Sequence, residues 1–399
     1  MSDLLSPGLH RAAGVADDSA LVAAMLRVEV AWVRAMAAVG AVDREDADAV
    51  ARAAEHWYVD LTELRAATEA AGNPVVPLLA GLRKAVGSEP LARLVHRGLT
   101  SQDVLDTALV LLSRDALSRT RGDLLAAARA LAALADQHRA TVMAGRTLSQ
   151  YAVPVTFGLK AAQWLSGVLD ALDEVADALD RLPVQCGGAA GTLSLVAETT
   201  EPVAAARAFA DELGLRWPGA PWHTNRSAVT RVGAALVATT DALGVIASDV
   251  SLLSRPEIGE VREGAVSGRG GSSTMPHKRN PVLSVLVRSA ALQAPQLLAQ
   301  LHVAAAQAVD ERPDGAWHSE WPALRRLLEL TVAAASQTAE LVSLLEIDTA
   351  VMKAHVETAT EDLLAESGRA DRPEEYLGAA SAFVDAVLAR LPEEGNGHA

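Results

Sequence analysis

Three stretches of this chain carry polar residues at a density its apolar majority does not prepare for. They are His96-Arg97-Gly98-Leu99-Thr100-Ser101-Gln102-Asp103, Gly145-Arg146-Thr147-Leu148-Ser149-Gln150, and the run SGRGGSSTMPHKRNP over residues 267–281. The third joins Gly268, Gly270 and Gly271 to hydroxyls and to the cations Arg269, Lys278 and Arg279, directly before a helix-like pattern. Glycine leaves such a backbone free to aim its N–H groups, and a helix start adds its own donors and positive dipole end. Read from residue types alone, it is an anion-binding loop or a solvated connector. It is not a phosphate loop, because GRGGSS lacks the Gly-x-x-x-x-Gly-Lys-Ser/Thr spacing.

Long elements must hold these stretches in place. Apolar residues recur at helical spacing from about Asp106 to Ala140, Pro154 to Leu182, Ser227 to Leu253, Pro281 to Val309, and Trp321 to Leu345. Pro154, Pro281 and Pro322 each read as a helix start, and Pro295 reads as a kink inside the fourth run. No strand alternation of comparable strength competes, so the expected fold is all-α. The expected organisation is an N-terminal helical domain over 1–105, a central long-helix bundle over 106–345, and a short helical cap with a tail over 346–399. Rods of this length carry more apolar surface than one protomer covers, which points to burial against other subunits.

Composition narrows the partners. Half of the 399 residues are hydrophobic and only 3% aromatic, so the core is built from Ala, Leu and Val. With 50 acidic against 35 basic residues the formal charge is −15, which disfavours nucleic acid and anionic membranes. An anionic substrate therefore needs the few cations gathered locally. Cys186 stands alone, which leaves no disulfide framework and reads as a small core side chain. No histidine–carboxylate grouping has metal-ligand spacing, so no metal or cofactor is expected. The N-terminus lacks a signal-peptide pattern and no uncharged apolar run has bilayer length; the expected location is the cytoplasm.

GSSTMPHKRNP resembles the signature loop of the fumarase/aspartase superfamily, Gly-Ser-Ser-x-Met-Pro-x-Lys-x-Asn. Thr100-Ser101-Gln102-Asp103 resembles that family's first motif, and Gly145-Arg146-Thr147 with Gln150 its second. The likeness runs from about residue 20 to about 345, with the motifs in the family's order. It implies elimination or addition next to a carboxylate, through a dianionic aci-carboxylate that cations and N–H groups stabilise. By position Ser272 matches the catalytic base, with Ser273 as its rival, and Lys278 supplies the charge that makes a serine anion conceivable. Asn280 and Met275 match loop-shaping and substrate-contact positions. Thr100, Ser101, Gln102, Asp103, Thr147, Gln150 and Arg279 are the further substrate contacts implied, and the resemblance also implies a homotetramer with each site assembled from three subunits.

Departures from the pattern discriminate within the superfamily. Amine-releasing members carry a histidine where this chain has Leu148, and a glutamate where it has Val285; together they protonate the leaving group. A departing carboxylate needs no such acid, since its conjugate acid has a pKa of about 4. The sequence thus resembles the lactonising, carboxymuconate-type branch, which adds a substrate carboxylate across its own double bond. Ala71-Gly72-Asn73-Pro74, the 185–192 glycine-rich stretch, Pro221-Trp222-His223-Thr224 and Trp317-His318-Ser319-Glu320-Trp321 also resemble that branch. They add Asn73, His223 and His318 as candidate contacts, although both histidines read equally well as core residues. Asn225 and Ser227 stand where Gln and Asp are expected. The alternatives are a fumarate-releasing lyase, of adenylosuccinate or nitrosuccinate type, and a non-catalytic, crystallin-like structural protein.

Overall fold

The structure, a computed structural model, describes residues 4–271, 274–275 and 278–392. Ser272, Ser273, Pro276, His277 and the tail from residue 393 therefore lie outside the described residues.

The chain opens with α1 (Asp18–Ala38), α2 (Arg44–His56), α3 (Leu61–Ala71), α4 (Val75–Val86) and the single turn α5 (Glu89–Ala92). Then come α6 (Ser101–Gln137), a hairpin of β1 (Val142–Thr147) and β2 (Gln150–Thr156), α7 (Phe157–Asp180), α8 (Ser194–Ala197), α9 (Pro202–Leu213) and α10 (Ser227–Leu253). After β3 (Val261–Arg262) follow α11 (Val282–Ala306), α12 (Gly315–Ser343), β4 (Glu346–Ile347), α13 (Thr349–Thr358), α14 (Thr360–Leu363) and α15 (Ala380–Leu388).

Five long helices make the body. Helices α6, α7, α10, α11 and α12 pack in a ring, each on the next, and α10 also touches α12 across it. Among the described residues the sheets are two antiparallel pairs, the β1–β2 hairpin and β3–β4, whose strands are separated in sequence by α11 and α12. Small residues let the rods approach: a Cβ at Gly244 of α10 would lie 2.7 Å from the Ala291 methyl of α11. Helix α1 packs on α6 and α9, while α13 packs on β1 and α15 on α7.

Three expectations need correction. Helix α6 starts at Ser101, so the rod reaches into the stretch assigned to the N-terminal domain. Pro154 is not a helix start: it sits in β2 opposite Ala144, where a two-stranded sheet leaves edge positions that need no N–H. Pro322 lies inside α12, which begins seven residues earlier at Gly315. Pro295 is inside α11, as its position in the apolar run predicts.

By length and composition, α10 and α11 would also be long and apolar enough to cross a membrane. The apolar window of α10 is 56% buried within the ring, so that helix serves as a core rod. In α11 only 28% is buried. Its exposed residues include Val285, Leu292, Ala299 and Ala306, spaced by sevens, and α10 exposes Arg231, Val245 and Leu252 on a similar stripe. A seven-residue repeat of exposed positions is the pattern that helix-on-helix packing uses.

Candidate active site

The N-terminal end of α6 is built around buried ions. Thr100 caps the helix, and its backbone N–H donates to Asp103 Oδ2 at 3.0 Å. Asp103 Oδ2 also accepts from Gly188 N–H at 2.8 Å, and Oδ1 accepts from Gly187 N–H at 2.9 Å and from His223 Nε2 at 2.8 Å. Both oxygens are fully engaged, and the side chain is completely buried. Asp103, expected to contact substrate, is instead the post that fixes the 187–188 turn and His223. Gln102 is equally buried; its amide donates to the His223 carbonyl at 2.9 Å and to Asp106 Oδ2 at 3.2 Å. Ser101 is half-buried beside them. The Thr100 hydroxyl is the acceptor for Arg312, which follows α11.

Below this layer lies a network that sequence reasoning missed. Arg226 grips Asp106 with Nη1 and Nη2 at 2.7 and 2.9 Å, and Glu320 with Nη2 at 2.6 Å and Nε at 3.1 Å. It joins the starts of α10, α6 and α12. Trp317 Nε1 donates to Asp106 Oδ1 at 2.9 Å. Burial works against the Arg226 charge, but Asp106 and Glu320 outweigh it and hold its pKa above the ordinary value. Burial pushes Glu320 up despite Arg226. Cys186 is buried nearby, and burial followed by Asp103 pushes its thiol well up, as suits a core residue and not a nucleophile.

Asn73 and His318 meet at the same end. The Asn73 side chain accepts from the N–H groups of Val75 and Val76, at 3.0 and 3.4 Å, at the start of α4. His318 bonds the Gly72 carbonyl at 2.8 Å and the Asp314 carbonyl at 2.9 Å, and its ring packs against Trp317 and Trp321. His318 thus latches the turn that carries Asn73.

The second motif forms the β1–β2 hairpin at the far end of α6. Leu148 and Ser149 make the turn with φ of +48° and +67°, two non-glycine residues in the left-handed region. That backbone favours Asn-Gly, so the turn is strained. Leu148 is 98% exposed on its own chain. Beside the turn lies a cleft of about 610 Å³, lined among others by Arg146, Thr147, Gln150, Lys160, Arg255 and His355. Arg146 forks onto Glu260 at 2.8 and 2.9 Å, and His355 Nδ1 donates to the same carboxylate at 2.7 Å. Burial opposes the Arg146 charge and Glu260 more than restores it. Glu260, His355 and Lys160 carried no motif signal and were also missed.

The signature loop is tied at its base. Glu263 accepts from the Leu283 and Ser284 N–H groups, at 3.2 and 2.7 Å, and from the Ser284 hydroxyl at 2.7 Å, which closes the loop onto the start of α11. Asn280 donates to the Gly270 carbonyl from its backbone at 2.8 Å and from its side chain at 3.1 Å. Gly270 has φ +74°, and a Cβ there would lie 2.7 Å from the Asn280 carbonyl oxygen, so only glycine fits. Arg269 pairs with Glu340 of α12. Asn280 thus braces the loop, while Met275, Lys278 and Arg279 are exposed. Ser272 itself is among the residues not described.

One chain does not bring the three motifs together. The first begins α6 and the second follows its end, 37 residues on, or roughly 55 Å at 1.5 Å per residue. The signature loop precedes α11, whose far end is followed by Arg312 at Thr100; the 25 residues between span roughly 37 Å.

Fold and motifs together define an all-α enzyme of the elimination–addition type. A family profile described as lyase matches residues 13–295. The nitrosuccinate lyase of Streptomyces davaonensis is 46% identical over 376 residues, 92% of this chain and 79% of its own length. The 3-carboxy-cis,cis-muconate cycloisomerase of Bradyrhizobium diazoefficiens is 39% identical over 373 residues, 92% of this chain and 82% of its own. The 3-carboxy-cis,cis-muconate lactonizing enzyme from Pseudomonas putida has a structure that superposes with a TM-score of 0.84 at 33% identity, covering 93% of this chain and 94% of that one. This chain belongs to the fumarase/aspartase superfamily of lyases.

Proposed function

We propose that this enzyme is a cycloisomerase acting on 3-carboxy-cis,cis-muconate, joining a substrate carboxylate to the conjugated double bond to give a carboxymuconolactone. One observation carries the reading. Leu148 and Val285 occupy the two places where amine-releasing members resemble one another in holding an acid pair. An aliphatic pair cannot protonate a leaving group, so the reverse reaction must expel an anion that needs no proton, and a carboxylate is such a group. In the forward direction the carboxylate attacks, and Ser272 delivers the proton to the resulting α-carbanion. Lys278 and the loop N–H groups stabilise the dianionic aci-carboxylate. Thr147 and Gln150 line the cleft that would receive the substrate's other carboxylates.

A second reading has its own support. Nitrite, the anion of a comparably strong acid, also leaves without a proton, and the nitrosuccinate lyase is 46% identical to this chain over the 376 residues that align. Asn225 and Ser227 also depart from the lactonising pattern. Parallel assays separate the two: loss of muconate absorbance or release of nitrite, each from purified protein.

The active unit in this proposal is a homotetramer. The exposed heptad stripes on α10 and α11 fit a central bundle of identical rods packed antiparallel. Such packing brings the first-motif end of one chain to the hairpin and loop ends of others.

A further inference from the structure

We infer that His355, in the cap that follows the long helices, is a positioning residue for the active site, acting through Glu260 on Arg146 and the Thr147–Gln150 edge of the cleft. The inference rests on the reading that the hairpin is part of that site.

Glu260 is completely buried between three parts of the chain. Its backbone N–H donates to the Leu253 carbonyl at 3.0 Å, at the end of α10, and its carbonyl accepts from Asp348 N–H at 3.0 Å, at the start of the cap. The peptide on both sides is therefore pinned, and the carboxylate has a fixed origin. Arg146 takes one oxygen with each Nη, a fork that fixes the guanidinium in plane as well as in distance. His355 Nδ1 holds Oε1 at 2.7 Å, the oxygen that Arg146 Nη2 also holds at 2.8 Å. Because a carboxylate only accepts, Nδ1 carries the proton in that bond.

The cap is built to hold this imidazole in place. Asp348 caps α13 by accepting from Val351 N–H at 3.1 Å, and Met352 and Val356 bury the helix's inner face. His355 lies between those two on the helix that packs on β1. It also lines the cleft, as do Arg146, Thr147 and Gln150. Removing the imidazole leaves the Glu260 carboxylate held by the Arg146 fork alone, so that the pair can swing together, and so loosens a turn that Leu148 and Ser149 already strain. The cap thereby sets the geometry of a motif about two hundred residues earlier in the chain. Active-site contacts displaced by about 1 Å lose up to roughly 100-fold in rate.

The test compares His355→Ala with His355→Asn, whose amide nitrogen takes the place of Nδ1 and keeps a donor. Two readouts are made on the full-length protein: kcat and KM on the substrate the wild type turns over, and amide hydrogen exchange across residues 142–156. The expected result is faster exchange confined to the hairpin in His355→Ala, with kcat/KM lowered about 10- to 100-fold, and recovery of both in His355→Asn. Unchanged exchange and kinetics in His355→Ala overturn the inference. So does equal impairment in both variants, or faster exchange spread through the whole chain. Should the wild type turn over neither proposed substrate, the exchange measurement decides alone.

Discussion

Replacing Arg226 with methionine tests the ionic joint that holds α6, α10 and α12 in register at the first-motif end. Arg226 is 2% exposed and is the shared partner of two buried carboxylates, Asp106 and Glu320. Breaking a buried pair from one side costs about 3–5 kcal/mol, because the remaining charge stays buried without a partner. Unfolding entropy of about 2.1 cal/mol/K per residue amounts to roughly 0.8 kcal/mol/K over this chain, so Tm should fall by about 4–6 °C at fixed protein concentration. The loss should depend on pH, with a definite sign. Burial already holds Glu320 above its ordinary 4.5, and removing Arg226 raises it further. The folded variant then binds more protons than the unfolded chain above pH 4.5, so its stability falls as pH rises. Thermal scans of wild type and Arg226→Met from pH 5 to pH 8 should show the gap widening, and Glu320→Gln added to the variant should narrow it at pH 8. A Tm within 1 °C of wild type, or a gap that does not change with pH, would mean that Arg226 does not neutralise Glu320 and Asp106 in the folded protein.

The other expectations are more local. Replacing Leu148-Ser149 with Asn-Gly relieves two left-handed non-glycine residues and should stabilise the fold by about 1 kcal/mol, read as a shift in denaturant midpoint; a destabilised variant contradicts the strain. Ser272→Ala and Thr147→Ala proteins, each inactive, should regain activity when unfolded and refolded together, because some mixed tetramers hold a site free of both changes; no recovery despite verified subunit mixing removes the shared-site proposal. Glu340 is held below its ordinary 4.5, first by its bond to Arg11 and then by Arg269, against some opposition from burial. Its stabilisation is therefore complete above pH 4.5 and disappears as pH falls through the lowered value. Wild type and Glu340→Gln should accordingly differ in denaturant midpoint at pH 6 and converge at low pH.

Much of the frame was legible because long apolar periodicity is a strong signal: α10 spans the residues its pattern predicts, Ser227 to Leu253. The hairpin was not legible. Its turn residues, Leu148 and Ser149, are not the Asn-Gly or Gly-containing pairs that announce a hairpin, and Pro154 mimics a helix start while occupying a free edge position. The motifs were legible as sequence, but their division of labour was not. Asp103 looked like a substrate contact, since nothing in Thr-Ser-Gln-Asp reveals that two glycine N–H groups and His223 arrive from residues 84 to 120 further along. Arg226, Glu260 and His355 stayed hidden for the same reason: a buried ion's partners are set by tertiary packing, and no spacing rule connects Arg146 to Glu260 or Asp106 to Glu320.

With Leu148 and Val285 in place of the acid pair, the enzyme should turn over substrates whose leaving group departs unprotonated. The most direct measurement offers purified wild-type protein 3-carboxy-cis,cis-muconate, nitrosuccinate and adenylosuccinate side by side, following muconate absorbance, nitrite and fumarate. The expected result is turnover of 3-carboxy-cis,cis-muconate, with nitrosuccinate as the one alternative, and none of adenylosuccinate. Efficient release of an amine from adenylosuccinate, with no reaction on the other two, would contradict it.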